Sequence, residues 1–249
     1  AQLIEPNESA AISDSGYSAV RLPRHIVDLS DRSVEDVWRA VRPQVRNKVT
    51  QSQKRGVEIE LLREANQIPA VFDLYLRTMR ANDAAAKYPI GRFESIFEHL
   101  VGDGLGCILV AKHQGRVIGS NTLVCSPDAV HDIQLSYDPA ALSLRPNDAL
   151  VFASLKWTIE SGRTKFDFLS SPADDTSLQR YKAKWLADEH SVVTYIKDLD
   201  PVRASAWRIC QRALAHPLGA RAVRLVRKQT ARGARVAKRI RQHRTLRGN

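Results

Sequence analysis

Residues 164–185 read TKFDFLSSPADDTSLQRYKAKW, and the fold turns on this stretch. Residues 164–169 alternate in character, with Phe166 and Phe168 on one face and Lys165 and Asp167 on the other, the pattern of a half-buried strand. A polar Ser/Pro/Asp loop follows, then an amphipathic turn or helix carrying Tyr181, Lys182, Lys184 and Trp185. A loop opening at the end of such a strand is where α/β proteins place substrates. Lys182 stands just past it between aromatic residues, which can bury its stem and leave its ammonium aimed at a ligand. A lysine on a solvated helix face is the other reading of the same spacing.

Upstream, DALVFASLKWTIESG reads as a helix capped by Asn147 or Asp148 and ended by Gly162. Before it come three strands, 107–112, 117–125 and 129–137, joined by a Gly-containing hairpin turn at 113–116 and by Ser126-Pro-Asp128, an antiparallel meander. The glycines of GDGLG, 102–106, precede a strand instead of following one, so they form a turn and not a phosphate loop. Further upstream, the spacing predicts helices over 68–82 and 91–101 and a strand over 57–62. Ser33 to Asp36 forms a capping-box start, and Pro43 opens a second helical segment that ends at Gly56. One edge strand is expected near 17–22. Downstream, SVVTYI at 191–196 supplies a last strand. The expected architecture is α/β (α+β), a mixed and mostly antiparallel sheet with helices on both faces.

The charge divides the chain. Of 38 basic residues, 14 lie in 201–249, where there is no Asp or Glu, leaving 24 basic against 27 acidic residues elsewhere. The expected organisation is a lead-in over 1–25, one domain over 26–200, and a basic helical tail over 201–249. The tail mixes Ile209, Leu214, Leu218, Val223, Val226 and Ile240 with Arg and Lys, which suits an anionic membrane surface or tRNA. The first residue is Ala, so a trimmed start is expected, and no run of about 18 apolar residues suggests a membrane helix. Cys107, Cys125 and Cys210 form no C-x-x-C, and no histidine stands at metal-ligand spacing from them, so no metal is expected. The junction after residue 137, with Arg145 in the loop and Asn147 and Asp148 at the helix start, can hold a phosphate by dipole and free N–H groups, or be an ordinary connection.

This element order is similar to that of the GNAT acyltransferase fold. Trp38 followed by Val45-Arg46-Asn47-Lys48 and Lys54-Arg55-Gly56 resembles the "W…R-x-I-R-K-A…G" segment of the FemAB-like branch. Val110-Ala111-Lys112 with Gly115 to Gly119 resembles its "L-A…G-x-x-I-A-G" hairpin. Leu150, Trp157 and Ile159 resemble its helix after the fourth strand. Phe166-Asp167-Phe168, then Leu178, Tyr181-Lys182 and Trp185, resembles "F-D-F-G…G-L-x-x-F-K-x-x-W-G". Together these cover roughly residues 26–197. Leu169, Ser177 and Leu186 stand where the family has glycine, and 142–149 lacks the glycines of ordinary acetyl-CoA enzymes.

The resemblance implies transfer of an acyl or aminoacyl group to an amine or hydroxyl of a peptidoglycan or polysaccharide precursor, lipid-linked precursors included. The co-substrate is acyl-CoA or aminoacyl-tRNA, with no tightly bound cofactor. The alternative is an inert nucleic-acid- or membrane-binding protein on the same fold. Lys182 falls at the family's motif lysine, placed to stabilise an oxyanion or leaving group or to hold a phosphate. Arg46, Lys48 and Lys184 are expected to hold an anionic precursor, Tyr137 and Asp167 to face the cleft, and Arg145, Asn147 and Asp148 to hold the donor. Many Fem proteins carry two such domains, and this chain accommodates one. The expected location is cytoplasmic, at the inner face of the plasma membrane.

Overall fold

The computed structural model describes residues 14–206 together with Ile12 and Ile209. The basic tail beyond residue 206 thus lies outside the described residues, Ile209 excepted, as does Cys210. Val20–Thr194 form one compact unit; residues before and after it belong to another. In that other unit Lys197 Nζ lies 5.3 Å from the ring centroid of Tyr17. Residues 201–206 are helical, their start capped by Asp200, whose Oδ1 accepts from the N–H groups of Val202 and Arg203.

The elements in chain order are β1 (Ser18–Asp28), α1 (Val34–Ala40), α2 (Pro43–Lys54), β2 (Val57–Leu61), α3 (Ile68–Ala81), α4 (Ile90–Ser95), β3 (Gly106–His113), β4 (Arg116–Cys125), β5 (Ala129–Tyr137), α5 (Pro146–Glu160), β6 (Lys165–Ser170), α6 (Thr176–Ala183) and β7 (Asp188–Ile196). Seven strands make one sheet in the order β2-β3-β4-β5-β6-β1-β7. β5 and β6 pair in parallel, while β2–β3, β3–β4, β4–β5 and β1–β6 are antiparallel. The mixed, mostly antiparallel sheet expected from the sequence is therefore present.

β3 shows why the sheet is covered on both sides. Its residues GCILVAKH are nearly all buried, and alternate ones enter different cores. Cys107, Leu109 and Ala111 pack with Val45 and Val49 of α2 and with Leu150, Val151 and Leu155 of α5. Ile108 and Val110 pack on the opposite face with Ile68, Val71 and Tyr75 of α3 and Phe93 of α4. Gly119 lets α5 settle onto β4, because a Cβ there would stand 3.0 Å from Leu150 Cδ1 and 3.2 Å from Pro146 Cβ. Ser33 caps α1 through a reciprocal box with Asp36, as its sequence predicts.

Four local expectations change. β1 runs from Ser18 to Asp28, well past residue 22, and it is an interior strand between β6 and β7. The helix expected over 91–101 is α-helical through Ser95 and then widens to a π-helical turn, Ile96–Val101. Helix α5 begins at Pro146, not at a cap formed by Asn147 or Asp148; Arg145, left-handed at φ 60°, stands at the N-cap and the proline takes the first turn, where its missing N–H costs nothing. Asp167 does not lie on a solvated strand face: it is buried, because β6 has neighbours on both sides that supply charged partners. Among the described residues no helix is long and apolar enough to cross a membrane.

Candidate active site between splayed strands

β5 and β6 stay paired only from Ala129↔Lys165 to His131↔Asp167. Beyond that point β5 bulges: Thr122 of β4 opposes Gln134, whereas Leu123 opposes Asp132, which leaves Ile133 as the extra residue. A bulge leaves one residue unpaired and bends its strand, and here it coincides with the parting of the parallel pair. The resulting cleft, about 170 Å³, is lined by Asp132 to Leu135 of β5, Phe168 of β6, and Leu178, Tyr181 and Lys182 of α6.

Lys182 is only 6% exposed. Its Nζ donates to the carbonyl oxygens of Phe168 at 2.8 Å and Leu169 at 3.0 Å. A second irregularity puts those carbonyls there: Arg24 of β1 opposes Ser170 and Ile26 opposes Asp167, so β6 carries an extra residue, and Leu169 has φ 60°. Burial lowers the pKa of Lys182, opposed by the charges of Asp132, Asp167 and Asp175. Two of its three N–H donors serve the carbonyls. His25, 2% exposed on β1, lies close enough that burial first and Lys182 second lower its pKa; its Nδ1 has no hydrogen-bond partner among the described residues.

The two aspartates near this lysine differ in character. Burial pushes the carboxyl of Asp132 up to about 7, while a hydrogen bond from Asn121 and the charge of Lys182 pull it back. Asn121 is itself buried and donates through Nδ2 to Ser154 Oγ at 3.1 Å. Burial also works against Asp167, but hydrogen bonds outweigh it and hold that carboxyl at about 2. They come from His131 Nδ1 at 2.9 Å, Arg24 Nε at 3.0 Å and the Leu169 N–H at 2.8 Å. With Nδ1–H donating to a carboxylate, His131 Nε2 is left to accept from Ser126 Oγ at 3.1 Å. Asp167 thus ties β1, β5 and the β4–β5 turn together at the apex of the splay.

A second cluster forms where α5 begins. Lys184 Nζ lies 2.6 Å from Asp148 Oδ1 and 3.9 Å from the ring centroid of Tyr181. Burial lowers the pKa of Lys184, Asp148 raises it, and the nearby charges of Lys48 and Arg145 lower it further. Asn147 Oδ1 is buried with no hydrogen-bond partner among the described residues. A carboxylate therefore already occupies the positive end of the α5 dipole, and Pro146 offers no N–H there.

The structure brings Lys48, Arg145, Asn147, Asp148 and Lys184 to this one end of α5, with Lys184 two residues past Lys182 at the end of α6. It places Arg46 elsewhere: Nη1 donates to the carbonyls of Trp38, Arg39 and Val41 and closes the end of α1. Tyr137 turns toward α3, its Oη donating to Asn82 Oδ1 at 3.0 Å. Asp132 and His25 escape the sequence reading. Asp132 has a signal, as the one acid inside strand 129–137; His25 has none, since its burial comes from the placement of β1 between β6 and β7.

The model of the acetyltransferase (GNAT) domain matches residues 39–183. The chain belongs to this family. No curated protein matches it in sequence. Among solved structures this GNAT domain is similar to FemX, at 13% identity over 74% of this chain and 66% of that one, with a TM-score of 0.62. It is similar to the C-terminal domain of a candidate lysylphosphatidylglycerol synthetase from Agrobacterium fabrum, at 14% identity over 84% and 70% of the two chains, TM-score 0.58. A GCN5-related N-acetyltransferase from Kribbella flavida shares 13% identity over 80% and 66%, TM-score 0.52. The chain spans just under two thirds of FemX and of the Kribbella enzyme. At these identities the likeness is one of fold, and it agrees with the FemAB-like resemblance drawn from the motifs.

Proposed function

We propose that this GNAT domain transfers an acyl or aminoacyl group to an amine of a cell-envelope precursor. One observation carries the reading: the bulged, splayed β5–β6 junction is faced by a buried, carbonyl-anchored Lys182. A donor carbonyl laid along β5 would meet unpaired backbone N–H at the Ile133 bulge, and Lys182 would reach it from α6. Preorganised donors of this kind stabilise the tetrahedral oxyanion because they need no reorientation as charge develops. An exposed Lys182 without a cleft would favour the inert alternative; Lys182 is 6% exposed and lines a cleft, which supports the enzyme reading.

The names of the neighbouring structures, FemX and a lysylphosphatidylglycerol synthetase candidate, support an envelope precursor as the acceptor. Lys48, Arg145 and Lys184 supply positive charge for its anionic part. GNAT acetyltransferases draw on acyl-CoA, but 142–149 lacks the glycines of ordinary acetyl-CoA enzymes and Pro146 offers no N–H to a pyrophosphate at the start of α5, which favours aminoacyl-tRNA. The domain limits 26–200, the tail's affinity for an anionic surface or for tRNA, and a place at the inner membrane face remain parts of this proposal.

Titration of the full chain with acetyl-CoA and with charged tRNA, each at two salt concentrations, tests the donor. Salt-sensitive binding of charged tRNA alone is expected, since each phosphate contact releases counterions. Micromolar coenzyme A binding would reverse the choice of donor, and binding of neither would end the acyl-transfer reading.

A further inference from the structure

The β4–β5 turn carries a constellation that acyl transfer at the splay does not use. Ser126 Oγ stands 3.1 Å from His131 Nε2, and His131 Nδ1 stands 2.9 Å from Asp167 Oδ2. A hydroxyl, an imidazole and a carboxylate in this arrangement have the roles of nucleophile, base and orienting acid, roles defined by geometry and not by order in the chain. We infer that Ser126, His131 and Asp167 form a second catalytic site, one that hydrolyses carboxylic esters with an apolar acyl arm. Ser126 Oγ bonds to the ester carbonyl carbon while His131 Nε2 takes the hydroxyl proton. The bond from that carbon to the alcohol oxygen then breaks, and the alcohol leaves with the proton. Water attacks the acyl-serine in the same way: Nε2 takes one of its protons, the carboxylic acid departs, and that proton returns to Oγ.

The neighbours fix the direction of proton transfer. Asp167, 1% exposed, also accepts from Arg24 and from the Leu169 N–H, which keep it an anion. It therefore accepts from Nδ1, and Nε2 is left as the acceptor for the hydroxyl. Ser126 Oγ has two other acceptors in range, the Ala129 carbonyl at 3.3 Å and Asp128 Oδ1 at 3.5 Å, but the imidazole is the nearest of the three. Ser126 is half-buried and the His131 side chain is 23% exposed, so a substrate can meet both. Pro127 has no N–H to offer an oxyanion directly after the nucleophile. Arg163 stands in for it. Its Nε donates to the Ser126 carbonyl at 3.2 Å and its Nη1 to the Ser161 carbonyl at 3.2 Å, which holds the guanidinium beside the nucleophile with further N–H donors to spare.

The strand register gives the substrate class. Asp167, His131, Val124 and Gly106 are successive cross-strand partners from β6 to β3, so they share one face of the sheet. Gly106 lines a cavity of about 430 Å³ whose walls include Leu61, Leu62, Phe97, Val101 and Trp157. Two strand spacings, about 10 Å, separate His131 from Gly106. An octanoyl chain spans that distance, and an acetyl group does not.

The test treats the full chain with a fluorophosphonate, whose phosphorus bonds to an activated serine oxygen as fluoride leaves, and maps the labelled residue by mass spectrometry. Hydrolysis of p-nitrophenyl acetate and p-nitrophenyl octanoate is measured alongside. Labelling of Ser126 is expected, with octanoate hydrolysed faster than acetate. Ser126→Ala should abolish the label, and His131→Gln should lower both the labelling rate and octanoate hydrolysis by about 100- to 10,000-fold. No label, a label at another residue, or undiminished octanoate hydrolysis by Ser126→Ala overturns the inference. Equal rates with the two esters overturn the apolar arm as the substrate feature. Mapping on the wild-type chain decides even where His131→Gln does not fold. Failure here leaves the acyl-transfer reading standing, because that reading rests on Lys182 and the β5 bulge and uses neither Ser126 nor His131.

Discussion

The carbonyl oxygen of Leu169 accepts a hydrogen bond from Lys182 Nζ at 3.0 Å, and it points there because Leu169 holds a φ of 60°. Left-handed backbone is costly for a leucine, about 1–2 kcal/mol. Leu186, just beyond α6, sits at φ 66°. These are two of the three positions where the sequence departs from the family's glycines. The backbone shape has been kept and the residue changed, so the chain carries strain on both sides of its motif lysine.

Replacing Leu169 with Gly should therefore stabilise the domain. The gain is the relieved strain less the contacts of a half-buried side chain, a net of about 1 kcal/mol at most. In a domain of this size that raises the thermal midpoint by about 2–4 °C. Leu186→Gly should act in the opposite direction, because Leu186 packs against the main core and the lost burial outweighs the strain. Calorimetry on both variants checks the pair, and a destabilised Leu169→Gly would mean that strain is not what this position stores.

Lys182→Met should reduce transfer by about 100- to 1000-fold, the range for removal of one oxyanion donor. Stability should move much less: two main-chain carbonyls lose a charged partner, about 1–3 kcal/mol, while the desolvation cost of a buried ammonium disappears. Activity and a urea midpoint measured on the same preparation separate the two effects. Near wild-type transfer by a folded variant would remove Lys182 from the chemistry.

Periodicity made most of this fold legible. Strands β3 to β5, the body of helix α5 and the 164–185 segment follow from periodicity and turn residues alone, because those signals are local. The α5 start was misread because Asn147 and Asp148 look like caps, yet Pro146 and a left-handed Arg145 settle the turn one step earlier. Lys182 was legible as a residue but not as a geometry: its carbonyl partners arise from a bulge set by the pairing of β1 with β6, strands far apart in sequence. The same long-range pairing buries Asp167 and His25, and no local pattern announces it. Arg46 looked like a ligand for an anion because basic charge is visible in sequence, whereas the carbonyls it closes at the end of α1 are not.

Asp167 should make the domain acid-sensitive. Its carboxyl lies at about 2 in the fold against an ordinary 3.8, so the folded state binds fewer protons than the unfolded one between those values. Stability from this group is complete above about pH 4 and is lost as pH falls toward 2. Asp167→Asn should cost about 1.5–3 kcal/mol at pH 7, the scale of hydrogen bonds to a charged group, and should flatten the acid limb. Chemical denaturation at pH 3, 4 and 7 reads both effects; an unchanged acid limb would assign it to other carboxylates.

Asp132 should do the reverse. Its carboxyl sits at about 7 against 3.8, so between those values the folded state holds a proton that the unfolded state has released. Stability must then fall as pH rises from about 4 to about 7, by at most ~1.4 kcal/mol per pH unit from this one group. Asp132→Asn keeps a neutral side chain at every pH, and so should remove that decline and be more stable than the wild type at pH 8. Denaturation of both proteins at pH 5 and pH 8 measures it. If the gap between them does not widen with pH, the carboxyl of Asp132 ionises in the ordinary range.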